Sequence, residues 1–148
     1  MCSLCDEYIF CQDERIQGNP NIKSKKFDIN TNDGIFYFDI KDTRIPRAIS
    51  KSAEYLINNP NEIIDYNYRY QSNGQRYGLQ NRLFVVNHSH ISSNREALVR
   101  MSWEAKAKAF KLFLDNISSV HYHTVAENCI STIIYIIEEK DNSIIWKI

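Results

Sequence analysis

All four histidines of the chain fall in two copies of His-x-His: His88 and His90 in the stretch NHSH, and His121 and His123 in VHYH. Side chains two apart on a β-strand point to the same side, so each copy offers a pair of imidazoles to one face of a sheet. Imidazole is the side chain that takes up and releases protons near neutral pH. Two such rings close together can deprotonate a ribose 2′-hydroxyl and protonate the departing 5′ oxygen, the minimum apparatus for cleaving a phosphodiester without a metal. On this reading His121 and His123 form the acid/base pair. His88 and His90 are a second contributor, and Tyr122 and Thr124 stand where they could assist.

Two other chemistries compete for the same residues. Neutral imidazoles with a carboxylate suit a divalent ion such as Zn²⁺ or Mn²⁺, whereas the acid/base chemistry calls for no cofactor. His121, His123 and Glu127 carry the His-x-His-x3-Glu spacing of cupins. That fold is a β jelly roll, and a long helical segment between the two histidine pairs ends the likeness at the spacing. Cys2 and Cys5 form a Cys-x-x-Cys, but Cys11 and Cys129 supply no second pair, so these are read as reduced thiols.

Phosphate and base binding are expected from the stretch DYNYRYQSNGQRYGLQNR, in which tyrosines and arginines alternate. Paired as a hairpin about Asn73-Gly74, it puts Tyr68 and Tyr70 on one face and Arg69 and Arg76 on the reverse. Tyr68 and Tyr70 are then candidates for stacking the bases of a nucleotide or single-stranded RNA, and Arg69, Arg76 and Arg82 for holding phosphate. The opposite-face arrangement counts against a joint grip by neighbouring residues.

Eighteen basic against eighteen acidic residues give a net charge of zero, which leaves no global field for duplex DNA or an anionic membrane. Near-neutrality also leaves little repulsion between molecules, so a protein partner or a homodimer fits, and a non-catalytic binding or inhibitor protein of the immunity type is the alternative function. No secretory leader or membrane-spanning run is read in the sequence, and a cytoplasmic location is expected.

The elements that must position these residues are read from periodicity. A single domain over 1–148 is expected, with an irregular N-terminal segment over 1–24. The stretch KKFDINTNDGIFYFDIKD alternates about Asp33-Gly34, predicting a hairpin with Phe27, Ile29, Phe36, Phe38 and Ile40 on its buried face. A short helix follows, opened by Pro46 and stopped by Pro60, and then the Asn73-Gly74 hairpin, whose second strand carries His88 and His90. Ser93 to Glu96 fits a capping box and starts one helix of about 22 residues, reaching Asn116. A strand with His121 and His123, a strand over Ile130 to Glu138, and a last strand over Ser143 to Ile148 complete the chain. The order ββ-α-ββ-α-βββ predicts an α+β fold with a largely antiparallel sheet of six to seven strands and two helices on one face. A helix of that length spans roughly 30 Å, so the two histidine pairs meet only if the chain folds back along the sheet.

Overall fold

The computed structural model describes residues 2–18, 27–70 and 80–148. These form a mixed sheet of seven strands with α-helices on both faces. In chain order the elements are α1 (Cys2–Cys11), β1 (Ile16–Gly18), β2 (Ile29–Thr31), β3 (Tyr37–Arg44), α2 (Ala53–Asn58), α3 (Pro60–Tyr70), β4 (Arg82–Ser89), α4 (Glu96–Arg100), α5 (Trp103–Asp115), β5 (His123–Ala126), β6 (Cys129–Glu138) and β7 (Ile144–Lys147). The sheet runs β1-β2-β3-β4-β6-β5, and β7 also pairs with β6.

The α+β class holds, but the centre of the sheet is parallel: β3 pairs with β4, and β4 with β6, in the same direction. Parallel neighbours need a crossover of a dozen or more residues, and the α2–α3 and α4–α5 segments provide it. The cue lies in the strands themselves. LFVV in β4 and TIIYII in β6 are unbroken apolar runs, as required of strands covered on both faces. Leu83, Val85, Ile134 and Ile136 pack toward α1, α4 and α5, while Phe84, Val86, Ile133, Tyr135 and Ile137 pack toward α2 and α3. Five helices therefore divide between two faces where two on one face are expected.

The first hairpin keeps its predicted register, Ile29 opposite Phe38, with Ile29, Phe38 and Ile40 buried. Its turn is longer than two residues. Thr31 N–H donates to Phe36 O and Gly34 N–H to Thr31 O, and only Gly34 adopts positive φ, at 73°. The Asp33 carboxylate accepts from the Ile35 N–H and the Thr31 hydroxyl, which holds this wider loop without a second left-handed residue.

Three further expectations are corrected. Within the N-terminal segment expected to be irregular, Cys2–Cys11 form α1, which buries Ile9 and Phe10, and Phe10 stacks on Phe110 with centroids 4.0 Å apart. Pro46 lies outside the helix, whose N-cap is Ser52; Pro60 both stops α2 and opens α3, because a first-turn position needs no N–H. Tyr68 and Tyr70 lie on α3, where Ile63, Ile64, Asn67 and Tyr68 are buried at helical spacing, so the alternating tyrosines do not mark a strand. The Asn73-Gly74 turn and Arg76 fall outside the described residues.

The expected long helix is also broken. A 3-10 turn over Ser93–Arg95 leads into α4, Ser102 takes an extended ψ of 90° at the N-cap of α5, and the capping box is not formed. The break leaves Leu98 and Met101 exposed and lets α5 turn Ala105, Ala109, Phe110 and Phe113 inward. No helix among the described residues is long and apolar enough to cross a membrane.

Candidate functional site

Helix α3 organises the second histidine pair. His121 Nε2 lies 2.9 Å from Asn61 Oδ1, and His123 Nε2 lies 2.7 Å from Asp65 Oδ1. Asn61 and Asp65 are one turn apart, so the two rings dock on the same helix face at a spacing of about 6 Å. The Asp65 carboxylate accepts from Nε2 of His123 and leaves its Nδ1 to take up a proton, while Asn61 Oδ1 faces Nε2 of His121. Among the described residues neither Nδ1 carries a hydrogen bond. His121 is exposed, and the His123 side chain keeps about a fifth of its surface, 21%, in solvent.

The same row continues to Arg69, and Glu62, Tyr66 and Tyr70 form the row beside it. With Ala48 and Ile49 they border a shallow groove of about 450 Å³, of which Asp65 is one wall. The Tyr66 and Tyr70 rings are 4.9 Å apart, and the Arg69 guanidinium lies 6.0 Å from the Tyr70 ring. On a strand Arg69 and its tyrosine neighbours would face opposite ways. On a helix, Tyr66, Arg69 and Tyr70 stand at i, i+3 and i+4 and share a face, which removes the objection to a joint grip.

The other proposed members separate from this group. Tyr122 turns to the opposite side, stacks 6.3 Å from Phe38 and donates its hydroxyl to Ile117 O, and burial pushes its pKa up, so it serves the core. Thr124 is exposed on β5. Tyr68 is buried and donates to Gln80 O. Arg82 lies 4.8 Å from the Tyr68 ring and pairs with Asp39 at 3.7 Å, beneath α3.

The two histidine pairs do not meet. His123 is in register with Ser131, which pairs with Arg82 at the start of β4, whereas His88 pairs with Ile137 near its end. Six residues of strand put roughly 20 Å between the two levels. His88 and His90 contact each other edge to face at 4.9 Å. Burial and the neighbouring His90 lower the pKa of His88, whose Nδ1 is buried with no partner. His90 borders a separate groove with Glu54, Lys140 and Lys147.

A third constellation, not anticipated from the sequence, lies at the carboxyl ends of the parallel strands. Lys106 on α5 donates to Asp6 Oδ1 at 2.6 Å and to Asp42 Oδ2 at 2.7 Å, and all three side chains are sealed from solvent. Arg100 Nε reaches Asp42 Oδ1 at 2.7 Å, and Asn87 Nδ2 donates to the same oxygen at 2.9 Å. Burial, reinforced by a hydrogen bond and the charge of Asp42, raises the Asp6 pKa to about 8 against the opposing pull of Lys106. Burial works against the Lys106 ammonium, but Asp42 and Asp6 outweigh it and its pKa is raised. Further along, Glu138 accepts from Arg95 at 2.6 and 2.8 Å and from the Ser89 hydroxyl at 2.7 Å. The Arg95 and Ser89 bonds hold its pKa down at about 2. The sequence signal was parity: Asp42 follows Phe38 and Ile40, and Asn87 and Ser89 follow Leu83 and Val85, as polar residues on the buried face.

Cys5, Cys11 and Cys129 are free thiols, and no group of three or more His, Cys, Asp or Glu side chains among the described residues is arranged to hold a metal ion. No family model, curated protein or solved structure matches this chain.

Proposed function

We propose that the protein cleaves phosphodiesters of single-stranded RNA or a small nucleotide, with His121 and His123 as the proton-transfer pair. One observation carries the reading: α3 docks both imidazoles in a row, one on Asn61 and one on Asp65, and the same helix presents Arg69, Tyr66 and Tyr70 beside them. His123 acts as the base. Its Nδ1 takes the proton of the 2′-hydroxyl, and the Asp65 carboxylate on Nε2 faces the positive charge that forms. The 2′ oxygen bonds to phosphorus, the bond from phosphorus to the 5′ oxygen breaks, and the imidazolium form of His121 gives its proton to that oxygen. The products are a 2′,3′-cyclic phosphate and a free 5′-hydroxyl. Arg69 pairs with the phosphate, and Tyr66 and Tyr70 stack the adjoining base.

The test is cleavage of a short oligoribonucleotide by wild type and by His121→Ala/His123→Ala. The double variant is expected to lose about 10²–10⁴-fold in rate with little change in melting temperature, since His121 is exposed and His123 reaches solvent beside the exposed Asp65. A substrate with a single 2′-deoxy position should resist cleavage there. Full activity in the double variant, or cutting at the deoxy position, overturns the assignment.

A second reading, a non-catalytic binding protein, draws on another face. Tyr8, Leu98, Met101 and Trp103 are exposed, Tyr8 and Trp103 lie 5.8 Å apart, and a groove of about 470 Å³ runs between α1 and α5 beside them. Exposed aromatic and methionine side chains are the usual anchors of protein interfaces.

A further inference from the structure

The connection leaving β3 crosses to the α2–α3 face, and the one leaving the adjacent parallel strand β4 crosses to the α4–α5 face. Where neighbouring parallel strands send their connections to opposite faces, a crevice opens at their carboxyl ends, and open α/β sheets bind ligands there. In this chain the residues at that place are Asp42, Thr43 and Arg44 of β3 and Asn87 of β4, with Arg44 opposite Asn87 in the ladder.

We propose that this crevice binds the oxyanion of a small phosphorylated molecule through Arg44 and Arg100, over the Asp42–Asn87 pair. Arg44 is exposed, and its guanidinium has no partner among the described residues. It follows Asp42 by two residues on the same side of β3, about 7 Å along the strand. Arg100 is anchored to Asp42 through Nε, while its two terminal nitrogens carry no hydrogen bond among the described residues and a third of the side chain, 33%, is exposed. Two guanidiniums with unused donors therefore stand at the ends of these strands, and planar, bidentate donors of this kind match phosphoryl oxygens.

The carboxylates beneath do not cancel this field. Asp42 is held by two cations, with Lys106 on one oxygen and Arg100 on the other. Burial holds the Asp6 carboxyl well above its usual range, which reduces the negative charge set against Lys106 and Arg100. Asn87 adds a polar atom: its Oδ1 is buried and accepts no hydrogen bond among the described residues, while its Nδ2 is spent on Asp42 and Thr43 O. Buried ionic groups of this kind are rarely the cheapest way to fill a core, and they gather where a ligand or a reaction needs a fixed charge.

The experiment follows melting temperature with inorganic phosphate and with a nucleoside monophosphate, each against chloride at equal ionic strength. At ten times the dissociation constant, wild type is expected to gain about 4 °C. All variants are made in the Arg69→Gln background, which removes the phosphate contact proposed on the histidine face, and that background should still show the gain. Adding Arg44→Gln, at an exposed position whose guanidinium has no partner among the described residues, should keep the melting temperature in chloride and lose the gain. Equal gains with both probes identify the phosphoryl group as the whole ligand, and a larger gain with the monophosphate identifies a nucleotide. No gain with either probe overturns the proposal, as does a gain that survives Arg44→Gln in the Arg69→Gln background or that vanishes in Arg69→Gln alone.

Discussion

Replacing Asp6 by Asn should change how stability depends on pH, and the direction follows from the buried ionic group. Asp6 has its pKa raised from 3.8 to about 8 by burial and by Asp42. In the unfolded chain it titrates near 3.8, so between about pH 5 and 7.5 the folded state holds one proton more than the unfolded state. Stability from this group is fully present below pH 4, falls as pH rises, and is lost as pH passes about 8. One proton corresponds to about 1.4 kcal/mol per pH unit. Asn in this place imitates the protonated acid: its oxygen can accept from Lys106, and its amide can donate to Asp42. It does not titrate. The stability difference, Asp6→Asn minus wild type, should therefore grow by roughly 3 kcal/mol between pH 5 and pH 7.5. Taking the difference removes the carboxylates that are not coupled to Asp6, which titrate alike in both proteins. Lys106 stays charged throughout this window because its own pKa is raised. The assay is urea denaturation at half-unit pH intervals, followed by circular dichroism. A difference that stays flat across the window would refute the proton assignment, and one that shrinks would reverse its sign.

Two further outcomes can be checked with ordinary variants. Tyr122→Phe removes the hydroxyl donated to Ile117 O and should cost about 1 kcal/mol in urea denaturation while leaving phosphodiester cleavage unchanged; a rate loss of tenfold or more would return Tyr122 to the reaction. Leu98→Glu/Met101→Glu charges the exposed edge of α4, and sedimentation velocity should show wild type associating at high concentration while the variant stays monomeric. A wild type that is monomeric throughout removes the case for that face as a self-association surface.

Local patterns in the sequence carried the parts of the fold set by nearest neighbours. The Ile29–Phe38 register, the strand over Cys129–Glu138 and the last strand were all legible, because alternation and turn residues fix them within a few positions. The direction of β3, β4 and β6 was less so, since it depends on which face each crossover takes. Tyr66, Tyr68 and Tyr70 imitate a strand period of two, and only the burial of Ile63, Ile64 and Asn67 on the same segment decides for a helix. The long apolar period from Arg95 to Asn116 concealed the extended Ser102, because Leu98 and Met101 fit a helical stripe that the packed chain leaves in solvent.

The candidate site was legible only in part, for a related reason. His121 and His123 were visible as a pair, but Asn61 and Asp65 lie 60 and 58 positions away, and nothing local couples them to the imidazoles. Asp6, Asp42 and Lys106 come from three distant elements, Lys106 lying 100 positions from Asp6 and 64 from Asp42. Their spacing carries no signal. Only the polar residue at a buried strand parity does.

The central strand β6 has a bearing on how the chain reaches its native state during synthesis. Its TIIYII core is β-branched, aromatic and uncharged, the composition of segments that stack into cross-β fibres when left unpaired. It follows β3, β4, α4 and α5 in the chain, so a ribosome delivers it after its parallel neighbour and the helix that covers one of its faces. Its remaining edge is taken by β5, which precedes it, and by β7, which arrives a few residues later through the Asp141-Asn142 turn. The most aggregation-prone segment of the chain thus emerges into a template that is already waiting for it, and its period of exposure is about as short as the order of elements allows.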